Sequence, residues 1–177
     1  MKNFSSRILT LAGILLIFFS LFLYWQKTTP RRVAFNLESN FNTRDAHQGE
    51  AVPTKLIINE LGIELPVFGA EIVGNNWPVT KNGVSFLSSS ALPGTKGNSI
   101  LYGHNWNSLL GPLTKAKPGQ KIEVLLSDGN IVNFVVDSTQ IVSPNQASVL
   151  AESRDKRLTI YTCTGFLDSQ RFVVSAL

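Results

Sequence analysis

Apolar and polar positions divide the chain into three stretches. From Ile8 to Trp25 the sequence "ILTLAGILLIFFSLFLYW" is an apolar block without a charge. Its 18 residues just reach the length at which a helix crosses a bilayer. A secretory signal peptide shares the basic start and apolar middle, but its exit needs small residues in an Ala-x-Ala-like pattern. Here the block leaves through "LFLYWQK", and Tyr24 and Trp25 suit a membrane interface, where a ring with a polar edge is at home. The pattern predicts an uncleaved transmembrane anchor within residues 1–25. Residues 26–50, "QKTTPRRVAFNLESNFNTRDAHQGE", are polar, lack sustained periodicity and read as a tether.

From Pro53 onward the pattern becomes short apolar runs separated by turn residues. "TKLIINELGIELPVFGA" predicts two strands with Gly62 between them, and "GVSFL" and "GNSILYGH" predict two more. "KIEVLL" and "IVNFVVDSTQIV" flank Ser127-Asp128-Gly129-Asn130, and Asp-Gly between β-rich runs signals a hairpin. "RLTIYTC" and "RFVVSAL" complete the set. "NWNSLLGPLTKA" around Leu109 and "NQASVLAES" around Val149 allow one or two helical turns each. The predicted class is all-β: residues 51–177 form a closed barrel of about eight strands with one or two short helices, behind an N-terminal transmembrane helix.

The chain has 177 residues, 44% of them apolar and 11 of them Phe, which suffices for a sizeable core. A net charge of +4 and a pI near 9.4 raise the question of nucleic acid. The basic residues are scattered, however, and the densest group, Lys27 with Arg31 and Arg32, adjoins the span, where lipid headgroups attract it. With no basic run interleaved with aromatics in the folded part, no nucleic-acid partner is expected. Lys2 and Arg7 precede the span and Lys27, Arg31 and Arg32 follow it, so charge alone leaves the orientation open. One cysteine excludes an intrachain disulfide framework and a CxxC zinc site. No His/Cys cluster or EF-hand spacing occurs either, so neither metal nor cofactor is expected.

That cysteine, Cys163, and one histidine, His104, fall inside the predicted domain, whereas His47 lies in the tether. Cysteine–histidine catalysis needs a thiol that can ionise and an imidazole that can hold and return a proton. A fixed cation nearby favours the thiolate, and arginine stays protonated throughout the working range. Alternation along "RLTIYTC" puts Leu158, Ile160 and Thr162 on one face and Thr159, Tyr161 and Cys163 on the other. If "RLTIYTC" and "RFVVSAL" form a hairpin across "TGFLDSQ", Cys163 and Arg171 stand near opposite each other, with side-chain bases about 5 Å apart. His104 ends its own strand and so also lies on a rim. Taken singly, each has a plainer reading: a small core thiol, a hydrogen-bonded histidine, a solvated edge arginine.

"SILYGHN", "RLTIYTCTG" and "QRFVVSA" resemble the histidine, cysteine and arginine segments of the sortases, in the same order. "KLIINELGIELPV" is similar to that family's opening strands, "GVSFLSSSALPGTKGNSILYGHN" to its approach to the histidine, and "LLGPLTKAKPGQKIEVLLSDG" to the segment that follows. The likeness runs from about Pro53 to Ala176. The chain differs from longer members in its short Cys-to-Arg loop, in stopping soon after Arg171, and in Gln120, where many members carry an acid.

The resemblance implies that Cys163 attacks a backbone carbonyl in a sorting signal similar to Leu-Pro-x-Thr-Gly. It implies that Arg171 stabilises the oxyanion and that His104 gives a proton to the departing amine. An acceptor amine then takes the acyl group from the thioester, with hydrolysis as a side reaction. Implied partners are secreted proteins bearing a C-terminal sorting signal, an amine acceptor (a cell-wall precursor or pilin lysine) and membrane lipid around the anchor. The N-terminus would be cytoplasmic and the barrel extracytoplasmic. Thr162, Tyr161 and Trp77 are further candidates for lining a substrate groove, although threonine and aromatics also suit strands and cores. An L,D-transpeptidase would carry arginine directly after the cysteine, whereas here Thr164-Gly165 follows Cys163. Papain-like peptidases place cysteine ahead of histidine. A non-catalytic, membrane-tethered β-domain would keep Cys163 for packing alone.

Overall fold

The computed structural model describes residues 2–27, 33–36, 49–73 and 77–177. His47 and most of the 26–50 stretch lie outside the described residues. The first element, α1, is a helix over Lys2–Lys27. Its segment Ile8–Trp25 has a mean hydropathy of 2.4 and none of it is buried within the protein. Leu9, Leu15, Phe18 and Trp25 are all exposed around it. A helix apolar all round, and covered by none of the described residues, is long and apolar enough to cross a membrane.

Eight strands follow: β1 (Pro53–Ile58), β2 (Ile63–Ala70), β3 (Val84–Leu87), β4 (Gly97–Gly103), β5 (Lys121–Leu126), β6 (Ile131–Val142), β7 (Lys156–Thr164) and β8 (Gln170–Ala176). They close into a barrel in the order β1-β2-β3-β4-β7-β8-β6-β5. The alternating runs thus became strands close to the expected bounds, and β6 covers "IVNFVVDSTQIV" end to end. The two predicted helical turns are 3-10 turns, at Gly111–Lys115 and Ala147–Leu150.

Local chemistry sets the corners. Gly62 adopts φ 63 where a short turn hands β1 to β2. Between β5 and β6 the Asp128 carboxylate accepts from the Asn130 N–H at 3.0 Å, and Gly129 takes φ 86. Gly83 passes so close to β2 that a Cβ would strike the Pro66 carbonyl, and this approach admits the parallel β2–β3 pairing that begins at Val67 and Val84.

Apolar side chains from all eight strands fill the barrel, among them Leu56, Val84, Leu101, Ile122, Phe134 and Ile160. A second buried cluster lies on the outer face of β4, β7 and β8 and includes Ile100, Tyr102, Tyr161, Cys163 and Val173. Every residue of β4 is buried, as is most of β7. These two strands pair in parallel, which explains why "SILY" and "LTIY" read as unbroken apolar runs rather than alternation. Val33 and Phe35, from within the 26–50 stretch, belong to that outer cluster.

Candidate active site

β7 is flanked by β4 on one side and β8 on the other. The parallel register sets Gly103 beside Thr162, and the Thr162 hydroxyl donates to the Gly103 carbonyl at 2.9 Å. His104 follows Gly103 just past the end of β4 and Cys163 follows Thr162 on β7, so the two residues stand at the same end of a pair of strands about 5 Å apart. Across the antiparallel β7–β8 hairpin, Cys163 is registered directly opposite Arg171. Leu158 and Ile160 point into the barrel while Tyr161 and Cys163 face outward, as alternation requires. Phe172 also points inward, which turns Arg171 to the outer face with Cys163. The three residues expected to converge are therefore brought to one row, His104–Cys163–Arg171.

All three are buried, at 7%, 3% and 2% exposure respectively. His104 lies flat under Trp106, ring centroids 4.5 Å apart and planes 5° from parallel. A tight turn fixes this stack. The Leu110 N–H donates to the His104 carbonyl, and the Leu109 and Gly111 N–H groups donate to that of Trp106. A Cβ on Gly111 would lie 2.7 Å from the Trp106 oxygen, so glycine lets the turn close. Sequence reasoning missed Trp106, because an exposed-looking aromatic two residues past a histidine carries no periodic signal.

Burial holds the His104 imidazole below its usual range, and Lys81 pushes the same way while Asp168 opposes. The sign of the resulting pH dependence follows from linkage. An unfolded chain protonates His104 near pH 6.5, whereas the folded chain resists until lower pH, so the unfolded state binds more protons in between. Stability is expected to be full above about pH 6.5 and to fall as pH drops through that value toward the lowered folded one. His104→Gln should flatten this limb in denaturant titrations run between about pH 7 and pH 5; an identical limb in the variant would locate the acid sensitivity elsewhere.

Arg171 is fastened by main-chain oxygens. Its Nη1 donates to the carbonyls of Asp168 and Gln170, both at 2.9 Å, and its Nη2 donates to the Ala34 carbonyl at 2.7 Å. The guanidinium carbon also lies 5.9 Å from the centre of the Phe35 ring. Its Nε is buried and finds no partner among the described residues. These contacts brace a strained corner: Leu167 and Asp168 sit at φ 51 and 60, conformations that cost non-glycine residues about 1–3 kcal/mol each. Phe166, at the tip of this corner, is 85% exposed beside the row.

The further candidates Trp77, Tyr161 and Thr162 are all buried. Thr162 ties β7 to β4 as described, whereas Trp77 and Tyr161 form an aromatic box with Tyr102 and Phe35. Tyr102 and Tyr161 stack at 5.5 Å, and Phe35 meets Tyr161 edge-on at 4.9 Å. Trp77 closes the box on Tyr102 at 5.5 Å and on Tyr161 at 6.3 Å. The Tyr102 hydroxyl donates to the Pro78 carbonyl at 2.9 Å, but that of Tyr161 has no partner among the described residues. Burial pushes both phenols above their ordinary range.

A barrel of this topology with cysteine, histidine and arginine in one row defines a class, and comparison with known proteins names it. The sortase domain family matches residues 56–177. Sortase A of Listeria monocytogenes is 30% identical over 117 residues, which cover 64% of this chain and 50% of that protein. The chain thus spans half the length of this curated relative. A solved structure of Listeria monocytogenes sortase A superposes with a TM-score of 0.59 at 29% identity, covering 72% of this chain and 86% of the other. A lid mutant of sortase A from Corynebacterium diphtheriae superposes with a TM-score of 0.62 at 26% identity, covering 73% and 71%. The chain belongs to the sortase family.

Proposed function

We propose that this sortase is a membrane-anchored cysteine transpeptidase acting on secreted proteins that carry a Leu-Pro-x-Thr-Gly-like sorting signal. The observation that carries the reading is the direct registration of Cys163 with Arg171, with His104 next in the row. The Cys163 thiolate adds to the scissile carbonyl carbon, and the negative charge moves to the carbonyl oxygen, where the Arg171 guanidinium holds it. The C–N bond then breaks while the protonated His104 imidazole gives its proton to the leaving amine, producing a thioester on Cys163. An acceptor amine adds to the thioester and yields its proton to His104. Collapse forms the new amide and returns the thiolate. Water in place of the amine gives hydrolysis.

The anchor α1 would keep its N-terminus in the cytoplasm and the barrel on the outer side, facing secreted substrates. The acceptor would be a cell-wall precursor or a pilin lysine. A peptide library built around Leu-Pro-x-Thr-Gly, incubated with the full chain in detergent with and without a small primary amine, tests the reading by mass spectrometry. The expected results are a peptide adduct on Cys163 and an amine-dependent shift from hydrolysed to transferred product. Absence of any Cys163 adduct across the library would overturn it.

A further inference from the structure

Two residues past His104, Trp106 lays its indole against one face of the imidazole, with centroids 4.5 Å apart and planes 5° from parallel. The backbone sets its place. The Trp106 carbonyl accepts from the Leu109 N–H at 2.8 Å and the Gly111 N–H at 2.9 Å, and the His104 carbonyl accepts from the Leu110 N–H at 3.2 Å. Leu110 and Leu113 carry this stretch into the barrel core, and Pro112 stands in the first turn of the 3-10 segment that follows. None of these bonds uses the Trp106 side chain, so the indole can be changed while the turn stays closed.

The stack restricts the imidazole. At this separation a quarter turn about the Cβ–Cγ bond of His104 would drive a ring edge into the indole, so the stack fixes the plane in which both ring nitrogens lie. It also keeps water from that face. The indole suits either charge state of its neighbour, because an aromatic face packs against a neutral ring and attracts a cation. Two charged groups act on the imidazole from other elements. Lys81, in the β2–β3 connection, disfavours the imidazolium, whereas Asp168, in the β7–β8 corner, favours it. Arg171 stands across Cys163, at the far end of the row.

We propose that Trp106 is a positioning residue for His104, whose indole sets the plane of the imidazole and shields one face from water while the ring gives and takes protons. The proposal rests on the transpeptidase reading for those proton transfers, to the leaving amine and from the acceptor. It assigns Trp106 an effect on kcat rather than on peptide binding. It also makes the indole part of the burial that holds the imidazole below its usual range.

The test compares Trp106→Ala, Trp106→Leu and Trp106→Phe in the full chain in detergent. Trp106→Ala should lower kcat for a sorting-signal peptide about 10–100-fold with KM within about twofold, since a misplaced proton donor slows the step without weakening binding. Phenylalanine, flat and apolar, should restore kcat to within about threefold of the parent, while leucine, apolar but not planar, should not. Parental kcat in Trp106→Ala, or equal rescue by leucine and phenylalanine, would reduce Trp106 to packing and overturn the proposal. A second readout needs no turnover. The chain holds two histidines, so 15N-histidine NMR with His47→Gln as the assignment control follows His104 alone. Its titration midpoint should move up toward pH 6.5 in Trp106→Ala and stay with the parent in Trp106→Phe. An unmoved midpoint in the alanine variant also overturns the proposal. If Trp106→Ala loses its cooperative thermal transition, the leucine and phenylalanine variants, which keep most of the bulk, decide by the same comparison of kcat. Should the parent turn over no sorting peptide while the midpoints move as expected, the transpeptidase reading falls and the indole's hold on His104 stands.

Discussion

Cys163→Ala should lower kcat/KM for a sorting-signal peptide by about 10³-fold or more, because no other group in the row can form the acyl intermediate. His104 has its nitrogens committed to proton transfer, and Arg171 is a donor without a lone pair to offer. Transfer and hydrolysis should vanish together, since both pass through the same thioester, and the peptide adduct should be absent by mass spectrometry. Folding should survive. The substitution removes one sulfur from the outer cluster and leaves the barrel interior untouched, so a loss of about 1 kcal/mol is expected. In a chain of this size that corresponds to roughly 2–4 °C in Tm. A variant that still turns the peptide over at the parental rate would remove Cys163 from the chemistry.

The second large effect is expected from Arg171→Lys. Charge is kept, but the planar fork that reaches three carbonyls at once is lost. An ammonium on a shorter stem cannot span from the Asp168 and Gln170 oxygens to the site where an oxyanion would form. Loss of one preorganised oxyanion donor typically lowers kcat by about 10²–10³-fold, so kcat should fall by that order with KM moving less. Stability should fall as well, because the Nη1 bonds brace the left-handed Leu167 and Asp168. The two roles separate in the kinetics: destabilisation with near-normal kcat at a temperature where the variant stays folded would reduce Arg171 to a clamp for the corner.

Much of the site was legible because strands are periodic. Alternation assigned Cys163 and Tyr161 to one face of β7 and Leu158 and Ile160 to the other, and the short "TGFLDSQ" link limited the register enough to oppose Cys163 and Arg171. The His104 position was harder. Its strand pairs with β7 in parallel, across a long connection that carries β5 and β6, and no local rule sets the register of two strands so far apart. Trp106 and Gly111 escaped notice because their roles exist only once the turn closes. Val33 and Phe35 escaped for a related reason. Two apolar residues in a polar stretch bear no period, and their burial depends on a box built from Trp77, Tyr102 and Tyr161.

Spacing along the chain was enough to predict the apolar helix, the eight strands, the barrel class and the two faces of β7. All of these follow from spacing within a few residues, where backbone geometry leaves little choice. The neighbour given to each strand and the covering of Arg171 by the Ala34 carbonyl emerged only when the elements packed together. Such pairings join residues far apart along the chain, as Ala34 and Arg171 are. Their selection depends on which buried donors, acceptors and apolar faces are left to satisfy after the local elements have formed.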